Sequence, residues 1–384
     1  MESKKRNVFL TGATGVMGMA GLQELIKYPE RYAVKVLARD SKINRKKLRP
    51  FEEKGVRVVW GDLLDEASLR RGIEGADVVL HVGGMVSPMA DHFPEKTLKV
   101  NVGSMELISK IIKEIESSTD KEIATVYIGS VSQYGTRLPP DHWGKATDPQ
   151  VPAKNDAYAL SKVKAEQVLR DAGLKKWVSI RQTSILHPGL LKNASNPVAF
   201  HTPLLGVLEW ITTEDSGRLL ERVCRPDIPE TFWRKCYNAG GGEPFRKVNI
   251  DFERAIMKAL GCPPPEKIFE PNWFATHNFH GMWFEDSDEL DAILHFRQPD
   301  TFEDALQRMK SQLPFYFRLA PLAPAFAIKW FMKKVASHKT LGPLSWIRNN
   351  DDEKIKTFWG SREAYDAIPA WKDFKISPYY RKFN

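Results

Sequence analysis

The sequence holds three cysteines, Cys224, Cys236 and Cys262. An odd count without a CxxC pair argues against a disulfide framework or a zinc site, so no metal is expected. No uninterrupted apolar run reaches the roughly 18 to 20 residues that a membrane-spanning helix needs. The first six residues, Met1-Glu2-Ser3-Lys4-Lys5-Arg6, are charged and lead straight into a strand pattern, so no signal peptide is expected. A reducing, cytoplasmic compartment fits these absences. No internal repeat, low-complexity tract or nucleic-acid-binding module stands out, so nucleic acid is not an expected partner. The formal net charge of +9 reads as a solvated basic surface or a preference for anionic ligands, and it carries no information about fold.

What is present is globular: 42% of the 384 residues are apolar and 27% charged, which excludes disorder as the default. Short β-branched runs at 7–11, 33–39, 56–60, 76–81, 123–130 and 177–181 read as strands. Helical patterns at 18–28, 67–72, 97–116 and 157–172 separate several of them. That alternation implies right-handed crossovers and a parallel sheet covered on both faces. Beyond about Gln182 the rhythm breaks and Pro, Trp and Phe become frequent. The expected fold is α/β, a Rossmann-like doubly wound parallel sheet over 1–182. Residues 183–384 are expected to form mainly a smaller C-terminal substrate-binding cap, with some returning sheet elements and a C-terminal extension.

The first strand runs into Thr11-Gly12-Ala13-Thr14-Gly15-Val16-Met17-Gly18. Glycines at this GxxGxxG spacing permit a tight turn, close approach of backbone to a pyrophosphate, and close helix–strand packing. The following helix would offer free N–H groups to phosphate, which makes Gly12, Thr14, Gly15, Val16, Met17 and Gly18 candidate cofactor contacts. The second strand ends at Arg39-Asp40, with Arg45, Lys46 and Lys47 in what reads as the next turn. An arginine there suits a 2′-phosphate and favours NADP(H); Asp40, if turned inward, would instead hold a ribose hydroxyl and bring back NAD(H). Gly61-Asp62-Leu63 follows the third strand. Asp62 could accept from an adenine amino group or could cap the next helix.

Tyr158-Ala159-Leu160-Ser161-Lys162 opens a helix, and the spacing of four places Tyr158 and Lys162 on one face. A phenol near 10 trades protons poorly at neutral pH; a neighbouring ammonium is expected to lower it. The pair could then exchange a proton with a carbonyl or alcohol oxygen. The fifth strand ends in Ser130-Val131-Ser132-Gln133-Tyr134-Gly135, which puts Ser130 and, as a rival, Ser132 at the ligand-binding edge.

Taken in order, TGATGVMG at 11–18, GD at 61–62, LHVGG at 80–84, Asn101-Val102, SVSQYG at 130–135 and YALSK at 158–162 resemble the extended short-chain dehydrogenases/reductases. That group includes nucleotide-sugar epimerases and dihydroflavonol-type reductases, and the resemblance covers roughly residues 5 to 260. It implies Ser130 rather than Ser132 as the third catalytic residue beside Tyr158 and Lys162, with Asn101 supporting the site. It also implies cofactor contacts at Leu63, Val82, Gly83 and Gln182. The Arg39 and Lys46 spacing is similar to that of the NADP-selective reductases. Gly83-Gly84 stands where alanines are usual, and Arg181-Gln182 where Arg-Pro is usual.

The resemblance leaves three activities: a reductase or alcohol dehydrogenase, an epimerase that keeps NAD bound, and a non-catalytic dinucleotide sensor. Tyr158, Lys162 and Ser130 together disfavour the sensor. Val131-Ser132, in place of an Asp-Glu pair, disfavours a dehydratase. The basic Arg39 region favours the NADP(H)-dependent reductase. Trp210, Trp233, Trp273, Phe274, Phe279, Trp283 and Phe284 suggest either a bulky, fairly apolar small-molecule substrate or a packed cap core. His277 and His280 read as structural. Residues 314–336 are crowded with aromatics and lysines, and Pro314, Pro321 and Pro324 argue against one long helix. The segment could lie on a membrane interface, cover an apolar pocket, or pack on the body or a second subunit. A homodimer through the helices that begin near Thr97 and Ala157 is expected.

Overall fold

The structure is a computed structural model of the chain that describes residues 5–376 apart from 88, 139 and 193–195. The charged start at 1–4 and the last eight residues of the 183–384 segment lie outside the described residues. Seven parallel strands form the central sheet. They are β1 (Arg6–Thr11), β2 (Tyr32–Ala38), β3 (Arg57–Trp60), β4 (Val78–His81), β5 (Ala124–Ser130), β6 (Trp177–Gln182) and β7 (Lys235–Ala239), in the order β7-β6-β5-β4-β1-β2-β3. The chain first builds outward from β1 to β3 and then returns to β4 on the other side. The crevice between β1 and β4 is therefore the topological switch point, where such sheets place ligands.

Alternation along the strands feeds two cores. Val8, Leu10, Val36 and Val126 face one side, and Phe9, Leu37, Val79 and Tyr127 the other. Helices α1 (Val16–Leu25) and α6 (Thr213–Arg222) cover the first face; α3 (Glu66–Ile73), α4 (Pro94–Ser118) and α5 (Ala157–Asp171) cover the second. Helices α1 and α6 approach closely because Gly21 and Gly217 leave room: a Cβ at Gly21 would lie 2.4 Å from Leu220 Cδ1, and one at Gly217 2.8 Å from the backbone of Ala20. Both α6 and β7 come from beyond residue 182, so the sheet unit draws on both halves of the chain.

The basic stretch read as a turn after β2 is a helix, α2 (Lys42–Glu52), capped by the Ser41 hydroxyl accepting from Asn44 N at 3.2 Å. It buries only Leu48, so it offers no apolar period by which to recognise it. The first helix begins at Val16, not Gly18, because the glycine turn itself supplies Gly15 as its N-cap.

The later residues form two further apolar clusters. One joins Leu186, Leu208, Trp210, Phe245 and Phe284 with α8 (Phe302–Ser311) and the partly buried Phe252 of α7 (Asn249–Leu260). The other joins Phe200, Phe269, Trp273, Phe274 and Trp283 with α9 (Ala325–Ala336). Six of the seven aromatics that could have lined a substrate pocket are buried in these or the sheet cores, and Phe279 alone is half-buried. Their number reflects packing and says nothing of the substrate.

Candidate active site at the carboxyl edge of the sheet

The sheet gathers the candidate residues from separate parts of the chain at its carboxyl edge. Gly12 follows β1, Arg39 follows β2, Asp62 and Leu63 follow β3, and Val82 and Gly83 follow β4. Ser130 and Gln182 end β5 and β6 and pair in register. The glycine turn is shaped by contact. Gly12 has φ +76°, and a Cβ there would lie 2.7 Å from the Gly83 backbone; a Cβ at Gly18 would lie 2.2 Å from the Gly12 carbonyl. Only glycine fits either position. The first bond within α1 is donated by Met19 to the Gly15 carbonyl, so the amides of Val16, Met17 and Gly18 precede it, and no side chain caps this helix end. Lys47 reaches from α2 to the Thr14 carbonyl at 3.2 Å.

Behind the turn runs a buried polar chain. Gly83 N donates to Thr11 Oγ1 (3.0 Å), which lies 2.9 Å from His81 Nδ1; His81 Nε2 lies 3.1 Å from Ser104 Oγ, which donates to the Asn101 carbonyl (3.2 Å). With the Ser104 proton committed to Asn101, Nε2 must carry the histidine proton and Nδ1 accepts from Thr11. Burial, aided by the Lys162 charge, pushes His81 down to about 3, so it stays neutral. The Asn101 side chain accepts from Met85 N (2.7 Å) and donates to Met85 O (2.9 Å) and Ser161 Oγ (2.8 Å). It ties the loop after β4 to α5 and so acts as a positioning residue. A Cβ at Gly84 would sit 2.8 Å from Asn101 Oδ1, which accounts for glycine in place of alanine.

The two serines have different jobs. Ser130 Oγ accepts from Ser132 N (3.2 Å) and from the Ser132 hydroxyl (2.9 Å). With its lone pairs engaged, Ser130 has its own O–H left to donate, and it hydrogen-bonds the Tyr158 phenol. Ser132 is fully buried and serves Ser130. Lys162 is buried on the same side, its Nζ donating to Ile128 O at 2.7 Å and lying 5.9 Å from the centre of the Tyr158 ring.

The expected lowering of the phenol does not occur in this arrangement. Burial, only partly offset by the Ser130 hydrogen bond and reinforced by Asp156, pushes Tyr158 up to about 12. The ammonium that would oppose this is turned to the Ile128 carbonyl, and burial brings Lys162 down to about 8.

Asp156, Asn278 and Glu166 support the site and carried no sequence signal. Asp156 caps α5 by accepting from Ala159 N (2.8 Å) and meets His280 at 3.4 Å. Asn278 accepts from Lys154 N (2.7 Å) and donates to Lys154 O (2.9 Å). The segment 277–280 thus clamps the start of the catalytic helix to the cap. Arg181 donates to Glu166 Oε1 and Oε2 (2.5 and 3.0 Å) and to the Tyr134 hydroxyl (2.6 Å). Glu166 also accepts from Gln133 Nε2, whose Oε1 accepts from Ser130 N at 2.7 Å. Burial works to raise Glu166, but Arg181, Ser179 and Gln133 hold it down to about 2.

At the far end, Asp40 is held by Arg45 through two bonds of 2.6 and 2.7 Å, and the hydrogen bond keeps its carboxyl below the usual range. Arg39 and Lys46 are exposed, and neither pairs with a carboxylate among the described residues. Asp62 is no helix cap: its carboxylate accepts from Leu64 N (3.0 Å), while Asp65 caps α3. Leu63 packs beside Gly83. Gln182 has its Oε1 buried without a partner among the described residues, as has Thr183 its hydroxyl.

These features fit a bound dinucleotide: a glycine cradle that any Cβ would fill, uncapped amides, and buried polar atoms at the end of β6 of a kind a carboxamide satisfies. Residues 8–189 match the model of the NAD dependent epimerase/dehydratase family. That segment holds the glycine turn, Ser130 and the Tyr158–Lys162 pair, so the dinucleotide-binding part of the chain is similar to the extended short-chain dehydrogenases/reductases in motif order and sheet topology.

Among curated proteins it is 30% identical over 114 residues to the decarboxylating sterol-4-alpha-carboxylate 3-dehydrogenase of Dictyostelium discoideum, covering 30% of this chain and 33% of that one. It is 26% identical over 216 residues to D-erythronate dehydrogenase of Cupriavidus necator, covering 52% and 63%. The chain spans less than two thirds of the length of the curated relatives it matches. Its fold is similar to that of dTDP-glucose 4,6-dehydratase from Bacillus anthracis in complex with NAD, with a TM-score of 0.63 at 17% identity, over 80% of this chain and 97% of that one.

Proposed function

We propose that the protein is an NADP(H)-dependent oxidoreductase that interconverts a carbonyl and an alcohol on a small molecule. The observation that carries this reading is the aimed donor set: Ser132 occupies the lone pairs of Ser130, and the freed Ser130 hydroxyl meets the Tyr158 phenol beside Lys162. The residues that would hold the cofactor are the 12–18 turn at the pyrophosphate, Asp62 and Leu63 at the adenine, Val82, Gly83 and Gln182 at the nicotinamide, and Arg39 with Lys46 at a 2′-phosphate. When bound, the cofactor supplies or accepts the hydride.

The protein's own part is proton handling. With substrate present, Ser130 would turn its one O–H from the Tyr158 phenol to the substrate oxygen and so fix that oxygen against Tyr158. At neutral pH the phenol is protonated, so it is ready to give its proton to a developing alkoxide; taking one from an alcohol demands alkaline pH. Lys162 would have to turn from the Ile128 carbonyl to stabilise the phenolate, and it can do so only while it keeps its own charge, which burial brings down to about 8. Asp40, tied to Arg45, leaves Arg39 as the free group at the ribose end, which supports NADP(H) over NAD(H).

Arg137, Trp210, Lys247, Phe279 and His280 line a cleft with about 10 Å³ of free space, and His280 links it to Asp156 at the start of α5. The three free thiols suit a reducing compartment, and a dimer through the outer faces of α4 and α5 belongs to the same reading.

The test is direct. The purified protein is analysed for bound nucleotide and then given NADPH with a panel of ketones and aldehydes. Net NADPH oxidation matched by alcohol formation is expected. Tightly retained NAD with no net cofactor turnover would replace this reading with an epimerase.

A further inference from the structure

We propose that residues 315–334 form a docking surface that seats the protein on an anionic lipid bilayer. Seven of the fourteen exposed large apolar side chains of the described residues fall within 315–331. Phe315 is 75% exposed, Leu322 78%, Phe326 77% and Trp330 61%. Such side chains in one contiguous stretch exceed what a solvated surface ordinarily carries. The backbone beneath them is anchored. Met332 and Ala336 of α9 are buried against the Phe200–Trp273 cluster, and Leu313 and Phe317 pack toward Phe252 and Phe302. The turn of α9 that carries Phe326 and Trp330, four apart, therefore faces outward, with Lys333 beside them.

Charge selects the occupant. Between Asp304 and Asp351 the sequence has eight Lys and Arg and no acidic residue. Arg308 and Lys329 have carboxylate partners in Asp300 and Glu270, whereas Lys333 and Lys334 pair with none among the described residues. Lys334 Nζ lies 3.8 Å from the centre of the Trp330 ring, so its charge sits at the rim of the aromatic patch. Aromatic rings bordered by lysines match the boundary between acyl chains and anionic headgroups. A second copy of the chain would bring the same lysines face to face across a two-fold axis, which disfavours self-association here. No helix of the described residues is long and apolar enough to cross a membrane, so the contact is with the surface.

The experiment is vesicle flotation at low salt with the whole protein. It compares phosphatidylcholine vesicles with mixed phosphatidylcholine–phosphatidylglycerol vesicles. The protein is expected to float with the anionic vesicles and to be released as salt rises. The double variants Phe326→Ser/Trp330→Ser and Lys333→Glu/Lys334→Glu are each expected to weaken binding by about tenfold or more. Their thermal transitions should be unchanged, because the substituted side chains are exposed. A wild-type protein that stays unbound with anionic vesicles at low salt overturns the proposal. So does a sedimentation experiment in which either double variant turns a dimer into a monomer, since that assigns the face to a second copy.

Discussion

At the β5–β6 side of the crevice the pair Arg181–Glu166 is 3% and 1% exposed; at the β2 side the pair Arg45–Asp40 is 56% and 55% exposed. The chemistry is the same, an arginine and a carboxylate, yet the two do different work. The buried pair is one knot in a continuous set of bonds that runs through Gln133 to the Ser130 amide and through Tyr134 to Asn238. Taking two charges out of water is costly, and the return is a fixed position for the catalytic serine. The exposed pair fixes little. Its effect is to occupy Asp40 and leave Arg39 unpaired. One end of the crevice sets geometry, and in the function proposed here the other selects the cofactor by charge.

The largest expected effect falls on the chemistry at the buried end. Tyr158→Phe should lower the rate of ketone reduction by about 10² to 10⁴-fold with no loss of thermal stability. Steady-state kinetics and a melting curve check both halves. A smaller loss would mean that another group handles the proton.

Glu166→Gln leaves Arg181 charged and buried without its counter-ion. We expect destabilisation of about 3 to 5 kcal/mol in denaturant unfolding. The pH dependence of the wild type carries the same signature. The carboxyl is held near 2 against an ordinary 4.5, so the pair's stabilisation is complete above about 4.5 and is lost as pH falls toward 2.

Lys162 gives the next effect. Its pKa near 8 predicts that the reductive rate declines by about tenfold per pH unit above 8, as the phenolate loses its ammonium. In Lys162→Arg, which keeps its charge, that alkaline limb should vanish from whatever activity remains.

At the exposed end the effects shrink. Arg39→Ser should weaken NADPH binding by about tenfold or somewhat more and leave NADH unchanged, read as the ratio of KM values for the two cofactors. Asp40→Ala should change NADPH binding by no more than about twofold, because the pair it breaks is solvated. A large gain in NADPH affinity on that change would erase the contrast between the two ends.

The buried end was also the more legible in the sequence. Glycine spacing, strand-end serine and the Tyr158–Lys162 interval are local patterns, each within eight residues, and their order along the chain located the sheet's edge. What escaped notice was non-local. Nothing near Ser132 announces that it serves Ser130 and does not compete with it. Glu166 and Arg181 meet only because α5 packs on β6, and Asn278 reaches Lys154 across more than a hundred residues. The strand β7 and helix α6 are returning elements of the kind expected beyond 182, but the Pro and Trp content of that stretch hides where they fall. Helix α2 was missed because its stability comes from a Ser41 cap and surface charge, with one buried leucine in place of an apolar face. The phenol follows a related rule: spacing places Lys162 beside Tyr158, but only the fold shows its ammonium bound to Ile128.

The central claim is that the Ser130–Tyr158–Lys162 group serves a net hydride transfer to a carbonyl. It is tested most directly by following deuterium from the C4 position of labelled NADPH. The account predicts one deuteron on the carbinol carbon of the product for each NADPH consumed, with transfer abolished in Tyr158→Phe. Inversion of an alcohol centre with no net consumption of cofactor would contradict it.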